Sequence, residues 1–212
     1  MKPEFSGDRY YRRAMREGYR SRAVYKLAEI EKRFRIIRPD DNVVDLGAAP
    51  GAWLQEIRTM TTGKVIGIDL NPIAPIEGVT TIVGDFTDPR VVEQVRAVAG
   101  VVNVVVSDAS PKLSGQSSYD QARAIALGED ALSFAVKVLK RGGNFLVKSF
   151  QGELFNDLLS EVRRHFFSVR VYRTTASRRG SAEVYIVAKN YRPEVDSHSE
   201  YSDSGENNNP ET

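Results

Sequence analysis

The 212-residue chain has no cysteine, which excludes disulfides, thiolate metal ligands and a cysteine nucleophile. Histidine is nearly as scarce: His165 and His198 are the only two, too few to build a histidine metal cluster. No apolar run approaches the roughly 20 residues of a membrane span, and the charged, tyrosine-rich start does not resemble a signal peptide. These absences predict a soluble cytoplasmic protein with no metal and no membrane contact, and a monomer is expected. Residues 193–212 carry six acids and neither lysine nor arginine, and almost nothing apolar. Such a stretch cannot bury enough surface to fold, so residues 192–212 read as an acidic disordered tail.

The opposite imbalance marks the other end. Residues 1–38 hold 12 Lys/Arg against five acids, a local charge of +7 inside a chain whose net charge is only +2. Tyr10, Tyr11, Tyr19 and Tyr25 are interleaved with these cations. Cations pair with phosphates and rings stack on bases, so RNA is an expected partner. On charge alone, a merely solvated helix face fits equally well. Residues 1–18 are read as a loose basic arm, and Ser21 as the cap of a helix over residues 22–35.

The body of the chain is organised by strands that end in acids. Val43-Val44-Asp45-Leu46-Gly47-Ala48-Ala49-Pro50-Gly51-Ala52-Trp53 reads as a strand, a small-residue turn and a helix start. The first helical turn offers free N–H groups, and glycine allows a ligand close to the backbone. An acid at the strand end disfavours a phosphate and favours a hydroxyl-rich or cationic ligand. Further strands over residues 64–70, 81–86 and 101–108 end in Asp69, Asp85 and Asp108. Asp69 follows Asp45 by 24 residues, near the spacing at which an acid holds a nucleoside ribose. All four acids are predicted to line one crevice at the carboxyl ends of a largely parallel α/β sheet.

Later segments complete the pattern. Asp88-Pro89 opens a helix to about residue 99, and a serine-rich loop spans residues 107–119. A long helix over 120–140 is ended by Gly142-Gly143, and a fifth strand covers 144–150. A helix over 153–166 then precedes two strands, 168–174 and 183–190, joined by a turn with Arg178 and Arg179 and predicted to be antiparallel.

With these pieces assembled, residues 19–191 resemble FtsJ-type 2′-O-ribose RNA methyltransferases. The resemblance rests on six blocks in order: Arg20-Ser21-Arg22-Ala23-Val24-Tyr25-Lys26-Leu27, the Asp45–Trp53 turn, Gly84-Asp85-Phe86, Ser107-Asp108-Ala109-Ser110-Pro111, Val147-Lys148-Ser149-Phe150-Gln151-Gly152, and residues 177–188. Ala52 and Ser110 depart from the usual residues of those blocks. The resemblance implies a Rossmann-like class I S-adenosyl-L-methionine-dependent methyltransferase. Its sheet would be mostly parallel and seven-stranded, with an antiparallel last strand and helices on both faces. It also implies a catalytic tetrad at Lys26, Asp108, Lys148 and Glu183, and cofactor contacts at Gly51, Trp53, Asp69, Asp85 and Asp108. Among such enzymes the chain is most like those acting on a uridine of large-subunit (23S) ribosomal RNA. Enzymes of transfer RNA share the same domain, and a non-catalytic RNA-binding module of this fold is a third reading. Tyr119, Arg123, Arg178 and Arg179 are further candidates for RNA contact.

The chemistry accounts for the lysines. Methyl transfer to a ribose hydroxyl needs alignment and a base for the hydroxyl proton. A lysine serves only if its pKa falls well below the ordinary value of about 10.4, through burial or a neighbouring cation. Lys148 is the expected base, with Lys26 as the neighbour that depresses it and Glu183 orienting one of the two.

Overall fold

Residues 9–111, 117–177 and 180–193 are described by the computed structural model. Seven strands form one sheet: β1 (Val43–Leu46), β2 (Val65–Asp69), β3 (Val79–Val83), β4 (Val102–Ser107), β5 (Leu139–Phe150), β6 (Phe166–Tyr172) and β7 (Glu183–Tyr191). Their spatial order is β3-β2-β1-β4-β5-β7-β6. Every pairing is parallel except those of β7, which runs antiparallel to both β5 and β6. Because β1 pairs with β2 on one side and β4 on the other, the order reverses there, and a crevice opens at the carboxyl ends of those strands.

The strands are apolar on both faces because both faces are covered. Val43, Val65, Val104, Val106 and Leu146 point to one core, shared with α2 (Val24–Phe34) and α3 (Ala52–Met60). Val44, Ile66, Val105, Phe145 and Val147 point to the other, beneath α4 (Pro89–Ala99), α5 (Ser117–Val138) and α6 (Phe155–His165). This period of two decides which strand-end side chains meet α2. Asp88 caps α4 by accepting the Arg90 N–H at 2.9 Å, with Pro89 at the first helical position. Among the described residues, no helix is long and apolar enough to cross a membrane.

Several boundaries differ from the expectation. Part of the basic arm is a helix, α1 (Arg9–Arg16), with Ala14 fully buried. Tertiary contacts order it: the Tyr25 ring packs against Tyr10 and Tyr19, and Tyr19 donates its hydroxyl to Glu56 at 2.8 Å. Residues 1–8 of the arm, the tail beyond residue 193, residues 112–116 of the serine-rich loop, Arg178 and Arg179 lie outside the described residues. α2 begins only at Val24, and Ser21 accepts the Ala23 N–H at 3.2 Å rather than capping the helix. β3 ends at Val83, opposite Asp69 at the end of β2, and the Gly84 N–H donates the last rung of that ladder to the Asp69 carbonyl. α5 stops at Val138, before its glycines, because Leu139 already pairs with Val102 of β4.

Candidate active site

Strand alternation brings the lysines and acids together. Asp108 lies two residues beyond Val106, and Lys148 two beyond Leu146, so both turn to the α2 side of the sheet. Lys148 is directly opposite Tyr185 in the β5–β7 ladder, and Glu183 is two residues before Tyr185. Lys26, in the first turn of α2, descends onto this row.

The four expected residues therefore converge, although 157 positions separate Lys26 from Glu183. Lys26 Nζ is 2.8 Å from Glu183 Oε1 and 3.7 Å from Asp108 Oδ1. Lys148 Nζ donates to the Asp108 carbonyl at 2.6 Å and is 3.3 Å from Asp108 Oδ1. Lys26 and Lys148 are each only 8% exposed, so neither ammonium is an ordinary surface charge. The arrangement differs from simple lysine–lysine repulsion: both ammonium groups face the Asp108 carboxylate, and Glu183 compensates Lys26. Two cations and two anions balance, as burial of charge requires. Of the two lysines, Glu183 is the ion-pair partner of Lys26.

Two members of this cluster were not legible in the sequence. Tyr185, fully buried, donates its hydroxyl to Asp108 Oδ1 at 2.6 Å. Burial first, then the charge of Asp108, pushes its phenol well above the usual range, so it stays a donor. Ser177 donates to Glu183 Oε1 at 2.7 Å. No local pattern announces either partner. Tyr185 sits in an apolar strand and reads as core, and Ser177 is one of many serines.

Asp108 also lines the crevice next door, a cavity of about 710 Å³ bounded by Gly47, Asp69, Leu70, Asp85, Phe86 and Leu127 among others. That volume suits a nucleoside-sized ligand. Asp69 accepts the Ala49 N–H at 3.0 Å and the Asn71 N–H at 2.8 Å, which fixes the carboxylate between the two turns. Asp85 turns back on Thr87, accepting its N–H at 2.8 Å and its hydroxyl at 2.7 Å. Arg123 reaches the crevice wall from α5 and lies 5.6 Å over the half-exposed Tyr119 ring.

Three expected members of the crevice are placed elsewhere. Asp45 is 2% exposed and lies behind the turn, on a separate cavity of about 60 Å³ that also touches Asp108. Its Oδ2 has no hydrogen-bond partner. Burial, then the charges of Asp108 and Asp69, push its carboxyl well above the ordinary carboxylate range. Trp53 is buried, its ring against Tyr185 and its indole N–H donating to the Ala23 carbonyl at 2.8 Å, and it lines the same small cavity as Asp45. What Trp53 can offer a ligand is its backbone N–H in the first turn of α3. Gly51 has φ 103°, a backbone that strains any side chain, and a Cβ there would crowd Arg20 Nη1 at 2.8 Å, Ile76 at 3.0 Å and Ile73 at 3.1 Å. There Arg20 bonds the carbonyls of Pro50, Ala74 and Pro75 at 2.7–3.0 Å. Gly47, rather than Gly51, lines the crevice.

Comparison with known proteins agrees with this fold. A crystal structure from Plasmodium falciparum, named as a ribosomal RNA methyltransferase, superposes with a TM-score of 0.74 at 26% identity, covering 82% of this chain and 98% of that one. The fold is that of a Rossmann-like class I methyltransferase. The FtsJ-like methyltransferase family model matches residues 19–191, and the chain belongs to that family. The protein named ribosomal RNA large subunit methyltransferase E in Methanoculleus marisnigri is 69% identical, over 92% of this chain and 97% of its own. Its namesake in Methanosphaerula palustris is 62% identical, over 90% of this chain and 94% of its own.

Proposed function

We propose that the protein transfers a methyl group from S-adenosyl-L-methionine to the 2′-hydroxyl of a uridine in large-subunit ribosomal RNA. The observation that carries this reading is the Lys26–Asp108–Lys148–Glu183 cluster beside the crevice. The relatives' names support ribosomal RNA as the substrate.

The crevice residues fit the cofactor. Asp69 suits the ribose hydroxyls, and Asp85 with Phe86 and Leu127 suits an adenine ring and its amine. Asp108 completes the wall on the tetrad side, and the orphaned Oδ2 of Asp45 marks a polar recess beside it. Gly51 acts by leaving room for Arg20 to hold the turn, and Trp53 by its backbone N–H. The cofactor's sulfonium supplies an activated methyl group. The protein's part is to hold the acceptor oxygen in line and to take its proton. Lys148, in its neutral form, takes that proton. Asp108 fixes Lys148 by carbonyl and carboxylate together, and Lys26 paired with Glu183 flanks the same carboxylate.

The direct test is nucleoside analysis by mass spectrometry after incubation with S-adenosyl-L-methionine and large ribosomal subunits, free ribosomal RNA or transfer RNA. A 2′-O-methyluridine formed in ribosomal RNA is expected. Methylation confined to transfer RNA, or placed on a base, overturns the assignment.

Two further results are expected. Asp69→Ala should weaken cofactor binding by roughly 1.5–3 kcal/mol, the value of a hydrogen bond to a charged group. Titration calorimetry giving wild-type affinity would remove Asp69 from the ribose. The second concerns α1, whose Arg9, Arg12 and Arg16 are exposed. Deleting the arm would uncover the packed Tyr19 and Tyr25, so substitution is the cleaner experiment. Converting all three arginines to glutamine should weaken RNA binding and flatten its salt dependence by about 0.7–0.9 log units for each phosphate no longer neutralised. Cofactor affinity should not change. An unaltered salt slope would show that the helix face is only solvated.

A further inference from the structure

One carboxylate outside the tetrad is bonded as heavily as any within it. Residues three apart lie on one face of a helix, so Lys26 and Glu29 leave α2 side by side. Both reach the connection between β6 and β7. Glu29 receives the Tyr172 hydroxyl at 2.7 Å, the Thr175 N–H at 3.0 Å and the Thr175 hydroxyl at 2.7 Å. Burial alone would raise this carboxyl. The bonds from Thr175 and Tyr172 outweigh it and hold the group below its usual range, ionised. Arg33, on the same helix, lies 5.1 Å over the Tyr172 ring, and Phe34 meets that ring edge-on.

The turn held in this way leads back to the tetrad. Thr174 and Ala176, on either side of Thr175, are 4% and 3% exposed. Ser177 has one hydroxyl proton. It goes to Glu183, so the 2.8 Å contact with Thr174 is donated by Thr174. The path runs from Glu29 through Thr175 and Thr174 to Ser177 and Glu183, and closes on Lys26, one turn from its start. α2 thus grips the start of the connection through Glu29 and the first residue of β7, Glu183, through Lys26.

We propose that Glu29 is a positioning residue for methyl transfer. By fastening the start of the β6–β7 connection to α2, it keeps Ser177 on Glu183 and so keeps Glu183 on Lys26. This rests on the catalytic reading of the tetrad given above. Glu29 itself touches neither substrate nor cofactor. Its contribution is geometric, and errors of about an ångström at reacting groups cost on the order of a hundredfold in rate.

The test uses the full chain, single-turnover methylation of RNA, cofactor titration and thermal melting, with Lys148→Ala as a control. Activity in the wild type that is lost in that control establishes the tetrad reading first, so a failure there is distinct from a failure here. Glu29→Ala should then lose roughly tenfold or more in single-turnover rate with an unchanged cofactor Kd. Glu29→Gln, which keeps the reach and an acceptor oxygen for the Thr175 N–H, should recover most of the rate. Glu29→Asp, which keeps the charge but withdraws it by one methylene, should not; it also serves if the alanine variant fails to fold. Combined with Ser177→Ala, Glu29→Ala should cost little more rate than the worse single change, because both act through Glu183, while the losses in melting temperature add. Glu29→Ala or Glu29→Asp at wild-type rate with a lowered melting temperature would overturn the proposal, as would multiplicative rate losses in the double variant.

Discussion

Lys148→Ala is expected to reduce single-turnover methyl transfer by about 10²–10⁴-fold, the range a positioned general base contributes, with RNA and cofactor still bound. Lys148→Arg should be no better. A guanidinium cannot give up its proton in this range, and its planar fork cannot occupy the point between carbonyl and carboxylate that a lysine Nζ fills at 2.6 and 3.3 Å. Lys148→Met keeps the apolar stem in a position that is only 8% exposed, and so separates the chemistry of the amine from the packing of its stem. All three variants should therefore be inactive, and the methionine variant should melt closest to the wild type. The decisive measurement is the single-turnover rate of Lys148→Arg. A near-wild-type value would rule out proton abstraction by Lys148 and leave alignment and electrostatics as its whole role.

The sheet was legible in the sequence because its strands are short apolar runs closed by acids. The sequence pattern also placed the antiparallel pair at the end of the chain. Local pattern could not show the state of each side chain at the turn. Asp45 and Asp69 each follow a short apolar run, yet Asp45 is buried and Asp69 borders the crevice. The ladder sets the difference: Asp45 pairs with Gly67 inside the sheet, two rungs short of Asp69. Trp53 followed the glycine turn and so suggested a ligand, but its indole had a partner in Ala23, 30 residues earlier. Likewise the tetrad could be named from its blocks, whereas the division of labour could not. Lys148–Asp108 follows from the β4–β5 register, one rung beyond Ser107 opposite Val147, and Lys26–Glu183 from the docking of α2 over the start of β7, both properties of the folded chain. Helix α1 escaped for the same reason: its own sequence is too charged to hold a helix without Tyr19 and Tyr25 to dock on.

Asp108 is where these registers meet, and its substitution should have the broadest effect. Asp108→Asn preserves shape and leaves Tyr185 an acceptor oxygen, but removes the one carboxylate that, among the described residues, the two lysines share. Two nearly buried ammonium groups would then face Glu183 alone, an excess of one positive charge. Breaking a buried pair in this way costs about 3–5 kcal/mol, and the 17% exposure of the Asp108 side chain places the cost at the lower end, about 3 kcal/mol. For a chain of this size that corresponds to a fall of roughly 6–12 °C in melting temperature. Methyl transfer should fall at least about a hundredfold, because Lys148 loses half of the grip that aims it. Tyr185→Phe, which removes only a donor to the same oxygen, should be milder in both respects. Melting curves for Asp108→Asn that match the wild type would show that the lysines do not depend on this carboxylate. The cluster would then have to be held by Glu183 and the Asp108 carbonyl alone.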